Sequence, residues 1–300
     1  MTAKPPLFKE EIQQYSQMMY IAGETQDVSE EVTTLIEDII HGQVVHMLTT
    51  ARDLAFRRGS RIFTVADLVF QFRHDAARVD RLRTFLVWKV IRKSAKSDDD
   101  KEIPEDEEPD VEVAPGMKAV PSVNFPWELP SFFAEQVPDA DDGAVEALTS
   151  ASTLEKLQRN DRKTQDMTVD EYATWCECRH ASFTWRKIKR FRTWSGLGVI
   201  AEHRLGDDVP DVLGFITAEM VKTLTTEALV AQMEEGRGLD VVARNGPVKE
   251  GLFGGVQRSR NPVGARHVRI AFQRLQAVPK KQKAILTSTR LPVRQGLKLI

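Results

Sequence analysis

The first ninety residues carry apolar positions at helical spacing, in the order of a short helix, a long helix and another short helix. The first helix is predicted over about Lys9–Ile21, because Gly23 supplies a signal that ends it. The long helix is predicted over Glu30–Arg58, which contains no proline, begins with acidic residues and ends with arginines, as the helix dipole favours. Its apolar stripe covers nearly half of the helix surface, so the stripe needs a partner.

A capping box predicts where the third helix begins. Thr64 stands at the N-cap and Asp67 at the third helical position, which predicts a short helix from Val65 to about Arg73. A fourth helix is predicted over about Arg78–Ala95. The N-terminal half, with this fourth helix as its extension, is therefore expected to span residues 8–95.

The C-terminal half repeats this order of helices. Thr168 and Glu171 form a second predicted capping box, at the start of a helix that leads into Phe183–Trp194. A long helix is predicted over about Asp207–Glu235 and a short last helix over about Ala265–Gln276.

Two short helices cannot cover the stripe of a long one, so the two halves are expected to cover each other. We predict an all-α fold in which the long helices cross and share one core, with neither half stable alone. Burial of about 1,500 Å² of apolar area would contribute roughly 35–40 kcal/mol before entropy and desolvation offset most of it. The predicted core residues are Leu35, Ile36, Ile39, Ile40, Val44 and Met47 of the first long helix and Val212, Leu213, Ile216, Met220 and Leu224 of the second.

Charge and proline mark the connections between the halves. Residues 98–112 contain ten acidic side chains and a single basic one, Lys101. An acidic disordered linker is therefore predicted over 96–122. Residues 123–160 are predicted to be a docking segment and a loose connection, because aromatic residues lie between prolines there. The remaining predicted regions are the C-terminal half over 161–280, its glycine-rich insert over 236–260 and a basic tail over 281–300.

Composition excludes several classes of protein. The 300 residues are 41% hydrophobic and 29% charged, and the net charge of −2 argues against a strongly basic DNA-packaging protein. No apolar run reaches the roughly 18 residues that cross a bilayer, and residues 1–9 do not resemble a secretory signal. Cys176 and Cys178 stand too close for an unstrained disulfide, which favours a reducing compartment.

The sequence shows no convincing catalytic or metal site. On a helix Cys176 and Cys178 point about 200° apart, which suits one tetrahedral zinc ion poorly, so packing is the preferred interpretation of both. The glycines at 196 and 198, and those at 251, 254 and 255, do not lie between a strand and a helix as a phosphate-binding loop requires. We therefore predict neither an enzyme nor a cofactor.

A basic aromatic cluster precedes the second long helix. This mixture of residue types suits phosphate contacts, which would make it a nucleic-acid contact. The alternative is a helix whose aromatic residues pack and whose cations are solvated or face the acidic linker. The basic members are Arg186, Lys187, Lys189, Arg190 and Arg192, interleaved with Trp185, Phe191 and Trp194.

The second long helix also carries a flank that we call the acidic flank, formed by Asp208, Phe215 and Glu219. These residues lie beside the apolar stripe and not opposite it. An acidic and aromatic surface suits a basic protein partner, and a solvated flank is the alternative interpretation.

Ordered blocks in both halves carry a family resemblance. The blocks are Met18–Gly23, Thr34–Ile40, Arg58–Arg61, Arg73–Asp75, Phe125–Leu129, Cys178–Thr184, Arg190–Gly196 and Leu213–Thr217. The order of helices resembles the histone fold, and these blocks are similar to the Spt-class (suppressor of Ty) subunit of the SAGA transcriptional coactivator. The resemblance covers most of both halves, and the block Phe125–Leu129 lies between the helices predicted for the two halves.

This resemblance implies a fold and a function. Members of the family hold two histone folds in one chain as an intramolecular histone-like pair, resembling a fused pair of TBP-associated factors, and help deliver TATA-box-binding protein to promoters. The resemblance implies a nuclear coactivator subunit whose partners are TATA-box-binding protein and other SAGA-like subunits, with DNA reached indirectly and with no membrane or small-molecule substrate.

The resemblance also implies two sets of site residues. The acidic flank would contact TATA-box-binding protein. Arg61 and Asp67 match the family's loop arginine and helix aspartate, which implies a structural ion pair, and a weak surface pair is the alternative. The alternative function is a histone-fold factor that binds DNA directly through the basic aromatic cluster.

Overall fold

Helices dominate the part of the chain that the computed structural model describes, which is residues 9–99, 125–127, 154–155, 157–165, 167–204, 206–243, 261–277 and 298–300. The elements before residue 100 are α1 (Lys9–Ala22), α2 (Glu30–Arg57), β1 (Ile62–Phe63), α3 (Val65–Val69), a 3₁₀ turn (Phe70–Phe72) and α4 (Ala76–Asp99). The later elements are α5 (Val169–Arg179), α6 (Ile188–Ser195), β2 (Glu202–His203), α7 (Val209–Ala243) and α8 (Ala265–Gln276). The predicted all-α class is confirmed.

The predicted capping signals act where the sequence places them. Gly23 follows α1 with φ 119°, a conformation that favours glycine, and its N–H donates to the carbonyl of Met19 at 3.1 Å. The N–H of Thr64 donates to the carboxylate of Asp67 at 2.8 Å. The N–H of Thr168 donates to Glu171 at 2.9 Å in the same way. Local hydrogen bonds therefore fix the starts of α3 and α5.

The predicted continuation from α5 into Phe183–Trp194 is wrong, because the helix is interrupted at His180–Lys187. Ser182 Oγ accepts the N–H groups of Thr184 and Trp185 at 3.3 Å each. Arg186 has φ 58°, which right-handed helix does not allow. A serine that bonds the backbone locally competes with helical hydrogen bonding, so the chain turns here before α6.

Two other predicted helix ends also need correction. α3 ends at Val69 and passes into the 3₁₀ turn, short of the predicted Arg73. α7 continues to Ala243 instead of ending near Glu235, so the first part of the predicted glycine-rich insert is helical. An interior glycine costs a helix only about 1 kcal/mol, and no proline follows until Pro247.

The chain divides into two compact units, one made of residues up to Gln71 together with those from Thr168 onward, the other of Phe72–Met167. The predicted boundaries at 95 and 161 describe the helix order of the two halves and stay a prediction. The apolar stripe formed by residues up to Gln71 is covered by the C-terminal half, whereas α4 belongs to the second unit.

In the first unit α7 packs against α1, α2, α3, α6 and α8, and α2 packs against α1, α3, α6 and α8. The two long helices are thus in contact, as a shared core requires. All of the predicted core residues are buried except Leu35 and Ile39, which are half-buried. β1, which follows α2, pairs in parallel with β2, which precedes α7, with Phe63 opposite His203.

In the second unit the described part of the predicted docking segment packs on α4. Phe125 is buried, its ring stacks on Trp127 at 5.0 Å between centroids, and the guanidinium of Arg83 lies 5.7 Å from its ring centre. Residues 157–165 are helical, although a loose connection was predicted up to residue 160. Most of the predicted acidic linker, the rest of the insert and most of the basic tail lie outside the described residues.

None of the described helices is both long and apolar enough to span a membrane.

Candidate partner-binding surface

The acidic flank lies along one side of α7. Asp208, immediately before the helix, is separated from Phe215 and Glu219 by seven and eleven positions, which places all three on one side of an α-helix. Each is half-buried. Asp211 and Lys222 fall on the same side and are also half-buried. The three carboxylates outnumber the single ammonium group, so this side of α7 is acidic.

Glu219 and Lys222 form a close charge contact within this surface. Lys222 Nζ lies 3.7 Å from Glu219 Oε1, and the Glu219 side chain is only 12% exposed. A partly buried carboxylate is less screened by solvent than a fully exposed one. Glu219 is therefore a carboxylate of the flank that burial and Lys222 hold in one place.

The remaining sides of α7 are buried, which holds the acidic flank in place. Thr217 and Thr225 are 0% exposed, and their hydroxyls donate to the carbonyls of Leu213 at 2.7 Å and Val221 at 2.8 Å. A Cβ added at Gly214 would lie 2.5 Å from Thr184 Cγ2, so the helix backbone packs directly on the loop before α6. The flank is thus carried by a rigid element, as a binding surface requires.

The aromatic members of the basic aromatic cluster have separate roles. Phe191 and Trp194 are buried and stack on Phe183, with ring centroids 6.0 and 6.3 Å away. Trp185, in contrast, is 70% exposed, and the guanidinium of Arg186 lies 5.8 Å from its ring centre. The cluster predicted from the sequence is therefore partly core, and only Trp185 among its aromatic residues presents an exposed ring.

The cations of the cluster remain at the surface. Arg186, Lys189 and Arg190 are exposed, and Lys187 and Arg192 are half-buried. Three exposed cations without an acidic residue between positions 186 and 201 form a small positive surface. It is much smaller than the basic stripe of a protein that packages DNA.

A cleft between α1, α2 and α6 was missed by sequence reasoning. It encloses about 340 Å³ open to solvent, and its lining includes Tyr15, Glu37, Lys187 and Trp194. Glu37 is 0% exposed and accepts a hydrogen bond from the indole Nε1 of Trp194 at 2.9 Å. His41 Nε2 lies 3.0 Å from the carbonyl oxygen of Trp194.

The signal for this contact was a carboxylate inside an apolar stripe. Glu37 stands directly after Ile36, and both side chains are buried. A buried carboxylate needs a hydrogen-bond donor, because its bonds to water are lost on folding. That requirement predicts a donor from another segment, although the sequence alone does not say which one.

The predicted ion pair of Asp67 involves a different arginine. Asp67 Oδ2 accepts a hydrogen bond from Arg58 Nη2 at 2.7 Å, and no carboxylate among the described residues pairs with the exposed Arg61. Arg58 is the C-cap residue of α2, so the end of that helix brings its guanidinium to the capping box of α3. Asp67 therefore joins two helices and caps one of them.

The two cysteines are free thiols. Cys178 is buried, and burial together with the Glu177 carboxylate raises the pKa of its thiol. A thiol with a raised pKa is a poor nucleophile and a poor metal ligand at neutral pH. Among the described residues no group of His, Cys, Asp and Glu is arranged to hold a metal ion.

Comparison with known proteins places both halves in one family. The sequence model described as "Transcription initiation factor IID, 18kD subunit" matches residues 6–101. The "SAGA complex subunit Spt3" of Schizosaccharomyces pombe is 41% identical over 299 residues, which cover 95% of this chain and 94% of the relative. The "SAGA complex subunit SPT3" of Saccharomyces cerevisiae and the "Protein SPT3" of Kluyveromyces lactis are 35% and 36% identical, each over 93% of this chain and 94% of the relative.

The matched region at residues 6–101 contains the whole predicted N-terminal half, and the full-length relatives extend the similarity through the C-terminal half. The family resemblance predicted from the ordered blocks is confirmed, and the chain belongs to the Spt3 family.

Proposed function

We propose that this chain is a transcriptional coactivator subunit of a SAGA-like complex in the nucleus, and that it acts by binding and not by catalysis. Membership of the Spt3 family supports the coactivator role, since two of the relatives are SAGA complex subunits by name. The predicted pair of histone folds within one chain supports a role in assembly, because such a pair presents outer surfaces on a fixed core.

The acidic flank of α7 is the surface proposed to bind TATA-box-binding protein. Its half-buried carboxylates beside the aromatic ring of Phe215 are the observation that carries this proposal. Carboxylates next to an aromatic side chain suit a partner surface that is basic and partly apolar. Binding there would use a helix that the rest of the first unit already holds in place.

Replacement of Glu219 by lysine tests the proposal. Glu219→Lys reverses one charge and places a second ammonium group next to Lys222, so binding of a basic partner surface should weaken by about tenfold or more. The affinity of purified full-length chain for TATA-box-binding protein is measured by pull-down and by calorimetry. Helix content and the melting temperature are expected to stay close to those of the parent chain.

Glu177→Lys is the matched control, because Glu177 is exposed near the end of another helix, α5, and its replacement makes the same change in net charge. The control should bind as the parent does. Equal retention of the partner by the parent, Glu219→Lys and Glu177→Lys chains would remove the acidic flank from the proposal and leave the family assignment intact.

The alternative function is direct DNA binding through the basic aromatic cluster. Titration with random duplex DNA distinguishes it from the proposed role. Submicromolar affinity near physiological salt, with a steep dependence of log K on log salt, would favour that alternative. The small number of exposed cations in the basic aromatic cluster and the net charge of −2 lead us to expect weak binding.

A further inference from the structure

A buried glutamine interrupts the apolar stripe of α2. Gln43 stands beside Val44, and both are 0% exposed. A buried amide is costly unless it is hydrogen-bonded, because it gives up its bonds to water on folding. Gln43 Nε2 donates to the carbonyl oxygen of Lys298 at 3.1 Å, and among the described residues Gln43 Oε1 has no hydrogen-bond partner. Within the described part of the chain, the backbone of Lys298 is therefore the hydrogen-bond partner of this amide.

Gln276, the last residue of α8, binds the same backbone unit. Its Nε2 donates to the carbonyl oxygen of Lys298 at 2.7 Å, and its Oε1 accepts the N–H of Lys298 at 2.8 Å. One side-chain amide thus pairs with both polar backbone groups of a single residue, as a neighbouring β-strand does. This arrangement recognises an extended backbone and leaves the Lys298 side chain in solvent.

An apolar anchor follows two residues later. Lys298 is exposed, Leu299 is half-buried and Ile300 is only 4% exposed. Burial of an isoleucine side chain contributes apolar contact that hydrogen bonds to Lys298 alone would not supply. The segment is therefore held at one point by amide hydrogen bonds and at another by burial.

We propose that Gln43 and Gln276 form a binding site for an extended peptide backbone, that residues 298–300 occupy it, and that this segment acts as a strap between the two halves of the chain. Gln43 belongs to α2 in the N-terminal half and Gln276 to α8 in the C-terminal half. Both donate to one carbonyl oxygen, so the strap ties the halves to each other and does not merely extend one of them.

A double-mutant cycle in the full-length chain tests the strap. Deletion of residues 298–300 and the single change Gln276→Ala should each lower the melting temperature by about 2–5 °C. In the chain that lacks 298–300, Gln276→Ala should lower it no further, because the amide has already lost its ligand. Gln273→Ala is the control, since Gln273 is an exposed glutamine on the same helix.

Amide hydrogen exchange gives a second measurement that does not depend on global stability. Exchange of the Lys298 amide should be slowed in the parent chain and accelerated about tenfold by Gln276→Ala, but not by Gln273→Ala. The strap is overturned if Gln276→Ala lowers the melting temperature equally with and without residues 298–300, or if the deletion itself causes no shift. Unchanged exchange of the Lys298 amide in Gln276→Ala would also overturn it.

Discussion

The two long helices, α2 and α7, satisfy their buried polar groups in different ways. In α7 the hydroxyls of Thr217 and Thr225 donate to carbonyls four residues earlier on the same helix. In α2 the side chains of Glu37 and Gln43 reach other segments, near Trp194 and Lys298. The buried hydroxyls of α7 are thus satisfied within the helix, as is that of Thr33 in α2, whereas Glu37 and Gln43 of α2 need partners distant in the sequence.

The two helices also differ in how much of their surface is buried. Both helices contact helices from both halves, and small residues such as Gly214, Ala228 and Ala231 are buried along α7. α2 buries one side and leaves residues such as Asp38 and Gly42 exposed on the other. We infer that α7 provides the apolar centre of the first unit, while the buried polar groups of α2 determine which segments pack beside it.

The largest expected effect distinguishes a long-range polar contact from a local one. Trp194→Phe removes the indole N–H that Glu37 accepts, and should lower the free energy of unfolding by about 2–4 kcal/mol, since the loss of ring area adds to that of a bond to a buried carboxylate. Thr217→Val removes a hydroxyl that bonds within α7, and should cost less than about 1.5 kcal/mol. Urea denaturation of both chains measures the difference.

The coupling between Glu37 and Trp194 tests this contact more specifically than a single substitution does. If the contact acts as described, Trp194→Phe should cost less in a Glu37→Gln background than in the parent, because a neutral amide needs the indole donor less than a carboxylate does. Equal costs in both backgrounds, or an equal cost for Thr217→Val and Trp194→Phe, would contradict the distinction drawn between the two helices.

Glycines offer a matched pair of smaller effect. A Cβ at Gly214 of α7 would lie 2.5 Å from Thr184 Cγ2, so Gly214→Ala should destabilise by about 1–3 kcal/mol despite the higher helix propensity of alanine. A Cβ at Gly42 of α2 would meet no atom within 4 Å, so Gly42→Ala should stabilise by about 0.5–1 kcal/mol. Thermal melting gives the sign of each change, and the same sign for both would show that α7 is not closely packed at Gly214.

The features that the sequence predicts well are those set by neighbouring residues. The capping boxes at Thr64 and Thr168 and the helix end at Gly23 depend on side chains or conformations within a few positions. The apolar periodicity of α2 and α7 likewise predicts most of the buried positions. Family membership follows from ordered blocks, which the relatives reproduce over nearly the full chain.

The features that the sequence does not predict depend on partners far along the chain. Asp67 pairs with Arg58 and not with Arg61, because the direction in which α2 ends decides which guanidinium reaches the carboxylate. Glu37 and Gln43 signal a need for partners by their place in an apolar stripe, but only the folded chain identifies Trp194 and residues 298–300. The acidic flank is a surface property, and periodicity gives its location without giving its partner.

The smallest expected effect is at the β1–β2 pair, where the loop after α2 meets the loop before α7. Burial and the nearby Arg192 lower the pKa of His203, which the Asp207 carboxylate opposes in part. The unfolded chain then binds more protons than the folded one just below pH 6.5, so the stabilising contribution of the neutral ring is present above pH 6.5 and is lost as the pH falls. The free energy of unfolding should fall less steeply from pH 6.5 to pH 5 in His203→Gln than in the parent. His180→Gln is the control, because His180 is exposed, and it should keep the parent's dependence on pH. An identical dependence of the free energy of unfolding on pH in the parent and His203→Gln would show that the β1–β2 pair does not favour the neutral imidazole of His203.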